Sequence, residues 1–204
     1  MLRRGTMSAL VGLTALLVSL SVSSQTNDEK LDITANAVNM SNIGTGSTFL
    51  VQFTVERWTT QQERETLVAA MQEKGPDGLL SALQKMPSHG RMRVPSWTGP
   101  DPLNIRLGWD LRYAWREKNP DGGDRIVLGT DRFISWWEAA NRPRTIDYPF
   151  TVIELRTNKD GEGEGKLSVA TKINAIKGTN VIELETYASE PVRLQNVRVR
   201  ARKT

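Results

Sequence analysis

The patterning of this chain predicts a mainly β fold of the α+β kind, an antiparallel sandwich or open barrel carrying an inserted pair of helices. Three observations lead there. Apolar and polar residues alternate strictly in several stretches, each bounded by clusters of Gly, Asn, Asp or Pro. The alternation gives way only once to helical spacing, between Thr60 and Met86. Neither an internal repeat nor a domain-sized linker interrupts the run, so one layered unit is expected.

The elements follow in order. Leu31, Ile33 and Ala35 alternate with polar residues as an opening strand does. The turn NMSNIGTGS (39–47) leads into TFLVQFTVERW, whose Phe49, Val51, Phe53 and Val55 share a face, giving a hairpin. Thr60 and Glu63 then fit a capping box, in which each side chain satisfies an orphan backbone donor of the other. Leu67, Val68 and Met71 form a helical stripe that stops at Gly75-Pro76. Asp77 caps a second stripe of Leu79, Leu80, Leu83 and Met86, ended by Pro87, so the insertion covers about residues 59–86. Such a pair more often covers one side of a sheet than forms a lid over a cavity.

The second half is all strand and turn. NIRLGWDLRYAWREK is the clearest strand, with Ile105, Leu107, Trp109, Leu111, Tyr113 and Trp115 expected on one buried face. Arg106, Gly108, Asp110, Arg112, Ala114 and Arg116 are expected on the other. NPDGG (119–123) turns into DRIVLGT. PFTVIELRTN, the acidic turn KDGEGEG and KLSVATKI make a further hairpin. NVIELETYA and VRLQNVRVRAR close the fold, the alternation of the latter broken at Gln195-Asn196 as by a bulge. Its outward arginines, Arg193, Arg198, Arg200 and Arg202, suit the solvent face of a terminal edge strand.

Residues 1–24 read as a signal peptide. Arg3 and Arg4 form the charged region, Ala9 to Leu20 a short apolar core, and Ser21, Ser23 and Ser24 the small residues of a cleavage site. Residues 25–204 are then the single β-rich domain, periplasmic or secreted, with no membrane insertion after cleavage. Removing the two leader arginines takes the formal charge from +4 to +2, too small to argue for nucleic acid. The chain has no cysteine, so it stands on packing and hydrogen bonds without a covalent staple.

Three segments, ERWTTQQERETLVAAMQ, GWDLRYAWRE…GGDRIVLGTDR and RTIDYPFTVIELR…GEGKLSVATKI, resemble those of a group of exported bacterial proteins with no assigned activity. The resemblance spans most of residues 25–204. It implies export and one compact domain, and carries over no catalytic or binding residue.

Much chemistry is excluded by residue type. Without cysteine there is no thiol nucleophile and no thiolate metal site. His89 is the only histidine, so a multi-histidine centre is excluded, and in the loop PSHGR it reads as solvated. No Gly-x-Ser-x-Gly elbow, P-loop or dinucleotide fingerprint occurs. Asn158, Asp160, Glu162 and Glu164 alternate as in a calcium loop, but the twelfth position falls on Val169, so a solvated hairpin turn is expected. No metal and no cofactor is expected. Asp110, Asp131, Glu138, Asp147 and Glu154 could supply an acid–base pair for hydrolysis of an envelope polymer, which needs only two suitably spaced carboxyls.

Six tryptophans remain. Trp58, Trp97, Trp136 and Trp137 lie in or beside connections, while Trp109 and Trp115 lie on the long strand. Adjacent tryptophans on an extended segment point opposite ways, so Trp136 and Trp137 cannot both be core. With Glu138, Arg142 and Arg144, and with Asp131 and Arg132 just upstream, they form the candidate binding segment. A free indole beside forked arginine donors suits a glycan or another envelope protein. The competing reading is an internal ion-pair network in which Arg142 or Arg144 ties Glu138 or Asp147 to the fold. An exported binding or interaction module is therefore the expected function, with a carboxylate hydrolase as the alternative.

Overall fold

A computed structural model describes residues 29–40, 48–95, 108–132, 134, 149–175, 182–186 and 192–202. Its elements are β1 (Leu31–Val38), β2 (Thr48–Val55), α1 (Gln61–Lys85), β3 (Gly90–Arg93), β4 (Trp109–Leu111), β5 (Tyr113–Lys118), β6 (Asp124–Thr130), β7 (Phe150–Thr157), β8 (Glu162–Ala175), β9 (Ile182–Thr186) and β10 (Val192–Ala201). All strands pair antiparallel in one sheet of order β4-β3-β2-β1-β10-β8-β7-β6-β5, with β9 attached to β8 alone. The two end strands, β4 and β5, are consecutive in the chain and separated only by Arg112. The sheet is therefore a nearly closed barrel, its seam crossed by the chain itself. At the seam Arg112 N donates to Gly129 O at 2.8 Å, and His89 N to Leu111 O at 2.7 Å.

Inside the ring the alternating residues of β1 to β8 and β10 meet in one core. Ile33, Val51, Phe53, Met92, Leu111, Ile126, Leu128, Ile153, Leu155, Leu167 and Leu194 are all sealed from solvent there. Counting β4 and β5 as one bent strand and leaving out β9, eight strands form the ring, a size whose interior side chains can fill. Among the described residues, inward side chains meet across the ring and fill it.

The seam corrects the reading of the long strand. Trp109 and Leu111 point into the core, but the next inward residue is Ala114, and Trp115 is half-buried on the outside. The chain leaves β3 and joins β6 at Arg112, and that change of partner costs one step of alternation. Arg64 lies 5.0 Å over the Trp115 ring, whose Nε1 donates to Glu117 at 3.0 Å. Ile105, Leu107 and Arg106 lie outside the described residues. The position of β10 is a second correction. It runs between β1 and β8, so it is interior to the sheet and not an edge.

Two bulges adjust the remaining phases. On β10, Thr34 pairs with Arg198 but Asn36 with Gln195, and Asn196 takes a left-handed φ of 51°, as the broken alternation at Gln195-Asn196 predicts. On β8, Phe150 pairs with Thr171 but Val152 with Ser168. The extra residue turns Ile173 to the outer side, where it joins Phe150 and Tyr113 beneath α1.

α1 begins with the expected capping box, Glu63 N donating to Thr60 Oγ1 at 3.2 Å and Thr60 N to Glu63 Oε2 at 2.8 Å. Its two arms meet at Gly75, whose φ of 65° is non-helical, followed by Pro76. Leu67 from the first arm and Leu79, Leu80, Leu83 and Met86 from the second cover the outer face of the sheet at Phe150. The pair lies on the outside of the wall. Among the described residues no helix is long and apolar enough to cross a membrane. The proposed leader lies outside the described residues.

The sole histidine is a third correction. His89 is fully buried, not solvated. Its Nδ1 donates to Pro87 O at 2.9 Å, which fixes the tautomer, and its Nε2 faces Glu63 Oε2 at 3.5 Å. Glu63 also accepts from Arg57 at 2.7 Å, so the capping box and Arg57 form one corner around the buried His89. Burial, reinforced by Arg57, pushes the His89 pKa below its ordinary 6.5 despite the nearby Glu63 carboxylate. Burial opposes ionisation of Glu63, but the Thr60 amide and Arg57 outweigh it and hold this carboxyl below its ordinary 4.5. Both groups bind protons more readily unfolded than folded, so stability should fall with pH. The His89 contribution is complete above about pH 6.5 and is lost as pH drops through the depressed folded value; the Glu63 contribution follows below about 4.5. Urea unfolding between pH 7 and 5 should show this decline, and His89→Gln should flatten it. A parent curve already flat over that range would refute the assignment.

Candidate functional site

The connection between β6 and β7 carries the candidate binding segment. Of its residues, Asp131 and Arg132 are described, whereas Trp136, Trp137, Glu138, Arg142 and Arg144 lie outside the described residues. So do Trp97 and Asp147. The departure point of the segment is held firmly. The Arg132 carbonyl accepts from the Thr130 hydroxyl and, at 3.1 Å, from Thr151 Oγ1, which also reaches Val169 O at 2.7 Å. Two residues on, Ile134 is buried in the main core, and its N–H donates to Val169 O at 2.9 Å. The Arg132 side chain is exposed. Four threonine and backbone contacts thus fix where the segment leaves the wall, a rigid mount of the kind that positions binding loops.

Asp131 is engaged by the fold itself. Its Oδ2 lies 3.4 Å from Arg112 Nε, and the same guanidinium lies 3.7 Å from Asp110 Oδ2 and donates to Met86 O at 3.0 Å. Asp110 in turn accepts from Arg91 at 3.0 Å. Arg112 therefore ties the C-terminal end of α1, strand β4 and the start of the connection to one point on the seam. Alternation puts Arg112 on an outer face and says nothing of this hub. The signal that could have found it is the apolar phase itself, which fails just past Arg112. Asp131 is thus paired with Arg112, a residue outside the candidate segment.

The end of α1 that Arg112 grips also borders a recess of about 580 Å³ on the helical pair. Thr66 and Ala70 from the first arm and Gly78, Ser81, Ala82 and Met86 from the second line it, with Glu73, Lys74, Asp77 and Lys85 around it. Gly78 lets the arms approach, since a Cβ there would stand 2.6 Å from Ala70 O. Its volume falls within the range of small-molecule sites. It is open, and both charge signs border it.

The carboxylates considered for hydrolysis are neutralised where they are described. Asp110 and Asp131 pair with arginines as above. Glu154 accepts from Arg125 at 2.9 Å and Arg156 at 3.0 Å, and the Arg125 hydrogen bond above all holds its pKa below the ordinary value. A general acid needs the opposite shift. Glu138 and Asp147 lie outside the described residues. Asn158, in the acidic turn, accepts at Oδ1 from Asp160 N at 2.9 Å and Glu162 N at 3.0 Å, which makes it a hairpin cap. Among the described residues no group of three acidic or histidine side chains is placed to hold a metal ion. Trp58, half-buried against the core, donates to Glu29 O at 2.8 Å. Beside it Arg116 bridges Glu29 and the buried Asp124, both at 2.6 Å. That corner is an internal ion-pair network.

Compared with models of protein families, with curated proteins and with solved structures, the chain matches none.

Proposed function

We propose that this chain is an exported binding or interaction module of the bacterial envelope, meeting its ligand on the outside of the barrel. The contact surface is the segment bearing Trp136, Trp137, Glu138, Arg142 and Arg144, which follows the fixed departure point at Arg132. One observation carries this reading over hydrolysis. Every described carboxylate from the acid–base candidates, Asp110, Asp131 and Glu154, is paired to arginine, and none is left free to donate or accept a proton in a cleft. A packed interior supports the same conclusion, since it directs any ligand to the outer surface. The fixed departure of the connection at Arg132 and Ile134 supplies the rigidity that recognition needs.

The test is Trp137→Ala combined with Arg142→Ala. Glycan-array binding and capture from an envelope fraction should both be lost, while the thermal midpoint stays within a few degrees of the parent. A double variant that captures as the parent does, or one that unfolds, assigns the segment to the architecture and overturns the proposal.

A further inference from the structure

On the wall that α1 leaves uncovered, the geometry points to a docking surface for an extended acidic polysaccharide, a chain carrying carboxylates among hydroxyls. The inference rests on the binding-module reading but uses a different surface, formed by the outer faces of β3, β2, β1 and β10.

Strand β10 turns Arg193, Arg198 and Arg200 outward, and the register places Arg93 in the cross-strand row Arg93–Gln52–Thr34–Arg198. Arg93, Arg193 and Arg200 are exposed and make no ion pair among the described residues, and Arg198 reaches Glu162 only at 4.0 Å. The other wall is built differently. Across β5, β6 and β7, Glu117, Arg125, Glu154 and Arg156 form a ladder in which each arginine has its carboxylate. On the α1-free wall Arg91 and Arg202 have carboxylates of their own, Asp110 for the first and Asp32 and Glu56 for the second, whereas Arg93, Arg193 and Arg200 stay open to an external anion.

The shape of the wall selects among polyanions. Successive strands of an eight-stranded barrel turn by about 45° around the axis. Arg93 and Arg198, three strands apart, therefore diverge by more than a right angle. A flat bilayer can touch one of them at a time, whereas a flexible chain can follow the curve and meet both. The neutral side chains in the rows decide between polymers. Thr34, Asn36 and Gln52 offer both donors and acceptors between the arginines, which matches a chain bearing hydroxyls as well as anions. Single-stranded nucleic acid is held by stacking its bases on aromatics, and this row contains none. Arginine forks fit carboxylates in two-point contact.

Polygalacturonate titrated into the purified protein in a calorimeter is the test, with dextran, phosphatidylglycerol vesicles and duplex DNA in parallel. Polygalacturonate should bind, and more weakly as salt rises. Dextran, vesicles and DNA should bind far less. Arg93→Gln, Arg193→Gln and Arg200→Gln together should weaken polygalacturonate binding about ten- to hundredfold without moving the thermal midpoint. Trp137→Ala with Arg142→Ala should leave it unchanged, which separates this surface from the other. If the triple variant unfolds, Arg193→Gln and Arg200→Gln alone must each weaken binding. Absence of polygalacturonate binding, unchanged affinity in the arginine variants, or equal binding to vesicles or DNA would overturn the proposal.

Discussion

Trp109→Ala should lower the free energy of unfolding by about 3–5 kcal/mol, while Trp115→Ala should cost about 1 kcal/mol. The two tryptophans stand six residues apart on one apolar alternation, yet they meet different surroundings. Trp109 is 8% exposed and packs with Met92 and Leu111 inside the barrel, so its truncation opens a void that a closed ring cannot collapse. Trp115 lies outside, under Arg64 and bonded to Glu117, and losing it removes one cation–π contact and a solvent-edge hydrogen bond. Urea midpoints at constant m-value read the difference directly. Equal losses would mean that both indoles share the core and that the phase change at Arg112 is wrong.

Arg112→Ala should cost about 2–3 kcal/mol, an unusually large effect for an arginine with an outward-facing neighbourhood. The loss leaves Met86 O without its donor and removes the cation between Asp110 and Asp131. Arg112→Lys should recover less than half of it, because an ammonium is a single point and cannot reach a carbonyl and two carboxylates from one plane. A midpoint shift of the size seen for ordinary surface substitutions, about 0.5 kcal/mol or less, would show that the seam closes without this hub. Lys fully restoring stability would show that charge alone suffices.

Local devices were legible because their causes are local. The Thr60–Glu63 capping box, the Gly75-Pro76 break, the Asn158 turn and the Gln195-Asn196 bulge each depend on a few adjacent residues, and all stand where those residues predict. The misread features depend on partners far along the chain. Nothing in Tyr113, Ala114 and Trp115 announces that a new neighbouring strand has arrived, so the pattern continues while the partner changes. The loop around His89 is polar, and the partners that receive it, Glu63 and Arg57, lie at the far, N-terminal end of α1. The arginines of β10 face outward as edge arginines do, and only the pairing with β1 makes the strand interior. Asp131 sits in the candidate segment by sequence, but Arg112, which claims it, lies across the turn in the preceding hairpin.

The insertion of β10 between β1 and β8 also sets the order in which this protein can be assembled. Leu31 pairs with Ala201, so the first strand waits for the last. As the polypeptide emerges from its N-terminal side, β1 can pair with β2, and β5 to β8 can zip up as neighbours. Both half-shells then carry an open edge facing the gap that β10 will fill. Closing it requires a contact spanning nearly the whole chain, the slowest kind to form, and until then two unpaired edges invite association with other copies. A holding chaperone would therefore act on this chain during the interval between completion of β8 and arrival of β10, shielding the exposed borders of β1 and β8.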